Sequence, residues 1–421
     1  MQMPQVFAPA EESYLREFGS VERFHWLMGL NHSNHFAMAV EVSGETTPSM
    51  WREALNKLCH RHPFLNVRIA RNAKSKLVFQ RVDGNEIPLT VKALESPFQW
   101  QEEFENELVT LFDPYSAPLM RALLLHNKSK CVMILTTHHT IADGMSLVFV
   151  IRDLMQAMSG QTLAALSVPP SQEEIFSRMG AVSSPVMPES HAGPAATATL
   201  PDRPVLNRGR LQVHGLRLTP EQTTQVVSAA RHAQTTVHAA LCAALVLAGR
   251  EISPSWRDGS VQVLTPINLR KTLNAGDDCA IRVAGAIVPF DQTPAENFWE
   301  LARWTKQSLV SAQDARGQAL PSFIERVIAN DDDSEALAQL FSLGIGYDLV
   351  VTNVQRMPFA NRFGDFTVEA VWGPAALNGL EGEQAVAVAT VNDSLCLVHT
   401  SYTPFPLLLE KATQLLLRAC S

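Results

Sequence analysis

Apolar positions change period several times along the chain, and each change marks an element. Residues 131–135, Cys131-Val132-Met133-Ile134-Leu135, form the short continuous apolar run of a buried strand. Behind it Leu147, Ile151, Leu154, Met155 and Met158 recur at helical spacing as far as Gly160, which supplies a stop. Ahead of the run, residues 121–126 predict a strand, and the polar turn Asn127-Lys128-Ser129-Lys130 returns the chain into 131–137 as a hairpin. Earlier still, Trp51, Ala54, Leu55 and Leu58 share one face of a helix, with Ser49 as its cap and its end before Pro63. Pro63 forces its predecessor into extended geometry, so this helix is expected to feed a strand.

The second half is punctuated as clearly. Thr219-Pro220-x-Gln222 combines a cap, a first-turn proline and a capping-box glutamine, and Thr293-Pro294-x-Glu296 repeats the device. Between them Val237, Ala240, Leu241, Ala244, Leu245 and Ala248 predict a largely buried helix closed by Gly249, with His238 as a packed residue. A hairpin is expected from 385–391 and 395–402 around Asn392-Asp393, then an apolar helix over about 407–418.

From about 166 to 207 the periodicity gives way to Pro, Ser, Ala and Gly, as in Val168-Pro169-Pro170 and Ser190-His191-Ala192-Gly193-Pro194-Ala195. A stretch of that length is unusual inside one compact domain, and 421 residues exceed what one core normally holds. The expected organisation is therefore an N-terminal subdomain, 1–165, a linker, 166–207, and a C-terminal subdomain, 208–421. The net charge of −8 argues against nonspecific nucleic-acid binding, which needs Lys and Arg to neutralise phosphates. Six scattered cysteines without a Cys-x-x-Cys pair indicate neither a zinc ribbon nor a disulfide framework, and fit a reducing compartment. The start, Met1-Gln2-Met3-Pro4-Gln5, lacks a basic region followed by an apolar core, and the apolar stretch 239–248 is too short to span a bilayer. A cytoplasmic monomer with no membrane span is the expectation.

The chemistry concentrates where the apolar run ends, in Thr136-Thr137-His138-His139-Thr140-Ile141-Ala142-Asp143-Gly144. Two histidines and an aspartate in a strand-to-helix turn suit a metal, a nucleophilic triad or a general base. A helical zinc site needs a third ligand and histidines on one face, whereas His138 and His139 are adjacent and point apart; no metal is expected. A triad needs an exposed nucleophile on a tight elbow, and no Gly-x-Ser-x-Gly run occurs. A lone base remains, with His138 as a satisfied core residue and the aspartate as a helix N-cap.

The segment His138-His139-Thr140-Ile141-Ala142-Asp143-Gly144 resembles the His-His-x-x-x-Asp-Gly signature of the condensation-domain and BAHD-type acyltransferase superfamily. Looser likenesses follow the same family: Arg61-His62-Pro63-Phe64-Leu65-Asn66, with Asn66 where an arginine is common, and Phe112-Asp113-Pro114-Tyr115 ahead of the hairpin. Pro266-Ile267-Asn268-Leu269-Arg270 resembles its Pro-x-Asn-x-Arg segment, and Thr352-Asn353 resembles its cleft-lining strand. Residues 363–374 lack the contiguous Asp-Phe-Gly-Trp-Gly motif of plant and fungal BAHD enzymes, which favours a condensation-like branch.

The resemblance implies an α/β fold of two chloramphenicol-acetyltransferase-like subdomains, with mixed sheets flanking a central tunnel. It makes His139 the general base, Asp143 a structural residue paired with Arg270, and Gly144 the residue that leaves room for the acyl group. The Gly144 N–H, Thr352 and Asn353 become candidate oxyanion or substrate ligands. The implied reaction moves an acyl group from an acyl-CoA or a carrier-protein phosphopantetheinyl thioester to a small-molecule alcohol or amine, with no tightly bound cofactor. Amide-forming peptide condensation and a non-catalytic carrier-protein-docking member are the rivals. The sequence shows no adjoining carrier or adenylation domain, which favours the acyltransferase over peptide condensation.

Overall fold

A computed structural model describes residues 14–31, 33–179, 209–291, 297–316, 346–377, 380 and 382–421. In chain order the first elements are β1 (Tyr14–Glu17), α1 (Ser20–Asn31), β2 (His35–Ser43), α2 (Pro48–Arg61), β3 (Val67–Arg71), β4 (Leu77–Arg81) and β5 (Leu89–Ala93). Then come α3 (Gln99–Val109), β6 (Met120–His126), β7 (Lys130–His138), α4 (Gly144–Met158) and α5 (Gln172–Arg178). Beyond these lie β8 (Gln212–Arg217), α6 (Pro220–His232), α7 (Val237–Ile252), α8 (Pro254–Asp258), β9 (Val261–Asn268), β10 (Val283–Phe290) and α9 (Phe298–Arg316). The chain closes with β11 (Leu349–Arg356), β12 (Arg362–Phe363), β13 (Phe366–Ala376), β14 (Gln384–Val391), β15 (Ser394–Ser401) and α10 (Leu408–Ala419).

Two six-stranded mixed sheets carry the α/β fold, in the orders β12-β13-β2-β7-β6-β5 and β10-β9-β11-β14-β15-β8. β5 runs parallel to β6, and β11 runs parallel to both β14 and β9; the other pairs in the two sheets are antiparallel. The apolar run in β7 is continuous because both of its faces are covered. Met133 and Leu135 join the core shared with α2 and α4, whereas Val132 and Ile134 join a second core between the sheets. β14 and β15 divide likewise: Val386, Val388, Leu395 and Leu397 meet the α7 side, and Ala385, Ala387, Cys396 and Val398 face the first sheet. The shared layer is rich in alanine, with Ala37, Ala39, Ala370 and Ala375 opposite Ala385 and Ala387, and this lets the sheets approach closely.

The strands do not divide between the sheets at one point in the sequence. β12 and β13, although they lie in the second half, extend the first sheet, and β13 pairs with β2. A short helix, α5, interrupts the expected linker; its Ser171 cap accepts from Glu174 N–H, and Phe176 packs with Leu269, Leu273 and Ala284. The rest of that linker from residue 180 lies outside the described residues, as does Thr293-Pro294-x-Glu296.

Local punctuation differs in three places. The cap of α2 is Thr47, whose side chain accepts from Met50 N–H, because Pro48 takes the first helical position and Ser49 falls inside the helix. Pro63–Asn66 forms a 3-10 turn before β3, so helix and strand are not joined directly. Gly249 does not end α7, which runs to Ile252; a methyl there would come within 2.3 Å of the Trp256 ring, so this glycine admits the indole. The capping box at Thr219 and Gln222 and the turn at Asn392 and Asp393, both with positive φ, match the sequence pattern. Among the described residues no single helix is long and apolar enough to cross a membrane.

Trp372 of β13 pins the shared layer. Its ring stacks on Trp100 of α3 at 4.7 Å, and its indole N–H donates to Glu41 at 2.6 Å. Trp372→Ala should cost about 3 to 5 kcal/mol in urea unfolding, the usual range for removing a buried large aromatic side chain; a loss under about 1 kcal/mol would show that the two sheets hold without it.

Candidate active site

β7 delivers the two histidines to opposite faces. His138 lies in register with His35 of β2, and the ladder runs on as His139 N–H donates to the Asn34 carbonyl at 2.9 Å. Strand alternation turns His138 toward the α3 side, where its ring meets Phe112 edge-on. It turns His139 toward α1, where its ring meets Phe36 at 4.7 Å and stacks on His25 at 3.9 Å with an interplanar angle of 11°.

The rings differ in what they leave free. His138 is buried, and its Nδ1 accepts from Thr140 N–H at 3.3 Å and contacts the Thr140 hydroxyl at 2.8 Å. Burial, helped by His35 and His139, pushes it down to about 3, so it stays neutral. His139 is half-buried; its Nδ1 is enclosed without a hydrogen-bond partner, whereas Nε2 is neither enclosed nor bonded. Burial lowers the basicity of His139, and the backbone at His139 and Ala142, with the Asp143 carboxylate, offsets this in part. A neutral imidazole with an open Nε2 can accept a proton near neutral pH.

Asp143 is the N-cap of α4, in a reciprocal capping box with Ser146. Oδ1 accepts from Ser146 N–H at 2.8 Å and from the Ser146 hydroxyl at 2.9 Å; Oδ2 accepts from Arg270 at 2.7 Å and from Arg282 N–H at 2.8 Å. Burial pushes this carboxyl up, but Arg270 and the backbone N–H groups outweigh it and hold it below its ordinary value. Both oxygens are thus engaged away from the His139 ring. Arg270, just past β9, also donates to the Ser146 hydroxyl at 3.0 Å and to the Ala280 carbonyl at 3.0 Å.

Gly144 does not face open space. A methyl there would meet the Pro374 ring at 2.6 Å and Val354 at 3.5 Å, so the missing side chain admits β13 and β11 against the start of α4. Pro374 occupies the volume that a side chain at residue 144 would take. On β11, alternation puts Thr352 on the Val354 face and Asn353 on the other. The Asn353 carboxamide oxygen accepts from Gln355 N–H at 2.7 Å, in its own strand. The structure thus brings together His138, His139, Asp143, Gly144 and Arg270, and sets Val354, two residues beyond Thr352, against them.

Sequence reasoning passed over His25, Asn34, Ser146 and Arg282. Serine three residues after an N-cap aspartate is a capping-box variant and was findable; His25 and Asn34 carried no periodic or motif signal. Elsewhere, half-buried His238 contacts Thr265 at 3.1 Å and is lowered to about 4 by burial, as a packed residue should be. Among the described residues no cluster of three or more His, Cys, Asp or Glu is placed to hold a metal.

Comparison with known proteins agrees with this geometry. Residues 23–176 match the family model described as Condensation domain, and 207–314 match Phthiocerol/phthiodiolone dimycocerosyl transferase C-terminus. The polyketide synthase associated protein 5 from Mycobacterium tuberculosis superposes with a TM-score of 0.70 at 16% identity, over 98% of this chain and 99% of that one. The first condensation domain of the CDA synthetase gives 0.72 at 14% identity, over 98% and 97%. Surfactin synthase subunit 2 of Bacillus subtilis (strain 168) is 29% identical over 164 residues, which is 38% of this chain and 4% of that protein. Bacitracin synthase 3 of Bacillus licheniformis is 25% identical over 173 residues, 38% of this chain and 2% of the synthase. The chain therefore spans only a few per cent of the length of these curated relatives. The fold and turn define an α/β protein of two chloramphenicol-acetyltransferase-like subdomains. Two separate stretches of the chain thus match family models of condensation and acyl-transfer proteins, and the whole chain shares the fold of solved condensation domains.

The Asp143–Arg270 pair is testable on its own. Each single alanine variant should lose about 3 to 5 kcal/mol, because the remaining charge is left buried and uncompensated. A double-mutant cycle in denaturant unfolding should be strongly non-additive; simple additivity would contradict the contact.

Proposed function

We propose that the protein is an acyltransferase that moves an acyl group from a CoA or carrier-protein thioester to a hydroxyl or amine, with His139 as general base. The observation that carries this reading is the His139 ring, neutral and open at Nε2, at the end of the central strand of a condensation-domain fold. His139 Nε2 takes the proton of the acceptor O–H or N–H as the heteroatom attacks the thioester carbonyl. The tetrahedral oxyanion needs a donor: the Gly144 N–H at the start of α4, the Thr352 hydroxyl and the Asn353 carboxamide N–H₂ are the candidates. Collapse breaks the C–S bond, and the departing thiolate takes the proton back from His139. Asp143 shapes the turn through Arg270 and moves no proton.

The acyltransferase is preferred to amide-forming condensation because residues 207–314 match a transferase C-terminal family. The rival rests on likeness to peptide synthetases such as Surfactin synthase subunit 2. Incubation with acetyl-CoA to palmitoyl-CoA, each with 1-octanol or octylamine and with or without loaded carrier proteins, followed by product mass spectrometry, separates ester from amide and CoA from carrier donor. No product from any pair would favour a non-catalytic docking role.

His139→Ala should lower kcat by about 10² to 10⁴, the usual contribution of a general base, at little change in KM. His138→Ala should be milder and act through stability; a larger kinetic loss in His138→Ala than in His139→Ala, with both folded, would reverse the assignment.

Because burial holds His139 below its ordinary value of 6.5, the active neutral form persists to lower pH. The kcat/KM profile should be flat near neutrality and fall on an acidic limb with its midpoint below 6.5. A limb centred above that value would contradict the environment described for the ring.

Transfer should be direct, within a ternary complex. Cys131 is buried and pushed up to about 12 by its apolar surroundings, and Cys279, against the Ile141 carbonyl, is buried and raised further. Initial-rate plots against donor and acceptor should intersect. Parallel lines, together with an acyl adduct in the intact mass after donor alone, would require a covalent intermediate.

A further inference from the structure

A catalytic histidine is ordinarily held in orientation by a hydrogen bond from its second ring nitrogen. No side chain gives His139 that bond: its enclosed Nδ1 has no side-chain partner, and only the backbone at His139 and Ala142 lies beside the ring. What bears on the ring instead are two aromatic faces. His25 of α1 lies parallel to it at 3.9 Å and 11°, and Phe36 of β2 lies tilted at 4.7 Å and 49°. Asn34 ties the stack together: its carboxamide N–H₂ donates to the His25 carbonyl, its backbone carbonyl accepts from His139 N–H at 2.9 Å, and its Oδ1 lies 3.5 Å from His25 Nδ1. One buried residue thus fixes both the strand position of His139 and the helix position of the ring stacked on it.

We propose that His25 is a positioning residue for His139, holding the imidazole in its reactive orientation by face-to-face stacking where no other side chain bonds its Nδ1. The proposal rests on His139 being the base. His25 makes no bond to the reacting atoms. When His139 accepts the acceptor's proton, the neutral ring beside it presents a π face to the new imidazolium, an attraction of cation–π type. Two cationic rings at this separation would repel, so His25 has to stay uncharged. Its surroundings secure this: burial, the neighbouring His139 and, more weakly, His138 lower it well below its ordinary value, against an opposing contribution from Asn34. Phe24, edge-on to His25 at 5.5 Å, adds no charge.

The test compares His25→Ala, His25→Asn and His25→Phe in the full chain, with octanoyl-CoA and 1-octanol or octylamine, whichever is turned over. His25→Ala and His25→Asn should lose kcat by roughly 10- to 100-fold, as for a misplaced catalytic group, with KM within about twofold. His25→Phe, which keeps the stack, should recover kcat to within about threefold of the native enzyme. Independently of any substrate, the NMR order parameter of the His139 Cδ2–H vector should fall in His25→Ala and be retained in His25→Phe. Native kcat or an unchanged order parameter in His25→Ala would overturn the proposal, as would equal losses in Phe and Asn; should Ala not fold, the Phe and Asn pair decides. His139→Ala run alongside separates the two claims. If it is inactive while His25→Ala keeps native kcat, only the stacking role falls; if it retains native turnover, both readings fall.

Discussion

The Asp143 carboxylate is the contact on which the active turn depends. It is buried, which disfavours its charge, and it is ionised because Arg270 and the N–H groups of Ser146 and Arg282 surround it. Those partners come from three places: the first turn of α4, the second residue after β9 and the residue before β10. One side chain therefore caps a helix of the first sheet's layer and draws two strand ends of the second sheet to it. Removing it would leave Arg270 buried without its counter-charge and free the start of α4, five residues after His139.

Around that anchor, strand alternation separates the two adjacent histidines. His138 faces α3, meets Thr140 and stays neutral through burial. His139 faces α1, where no side chain bonds its ring nitrogens and aromatic neighbours bound its faces. Gly144 then closes the turn from the far side by admitting Pro374, which comes from a strand of the second half that crosses into the first sheet. The exchange makes the turn a joint product of both halves of the chain.

Much of this was legible in the sequence, for physical reasons that can be named. The continuous apolar run of β7 and the helical spacing of α4 report burial directly, and the capping box at Thr219 is a local signal. The pairing of Arg270 with Asp143, 127 residues apart, followed only from family resemblance, since no periodicity links such distant positions. What escaped was set by tertiary packing. The crossing of β13 depends on Val368 and Val371 facing one core while Ala370 and Trp372 face the other, a pattern any buried strand shows. The packing of Gly144 against Pro374 joins positions 230 residues apart, which no local pattern links. His25 sits in a helix whose sequence gives no reason to place it against His139.

The central claim is that His139 is the neutral, open member of the histidine pair, and nitrogen-15 NMR of histidine-labelled protein, assigned with single His variants, tests it most directly. At pH 7 His139 should be a neutral imidazole that titrates below 6.5, while His138 should stay neutral, with its Nδ1 an acceptor, down to about pH 4. A His139 imidazolium at pH 7, or a His138 that titrates in its place, would contradict the account.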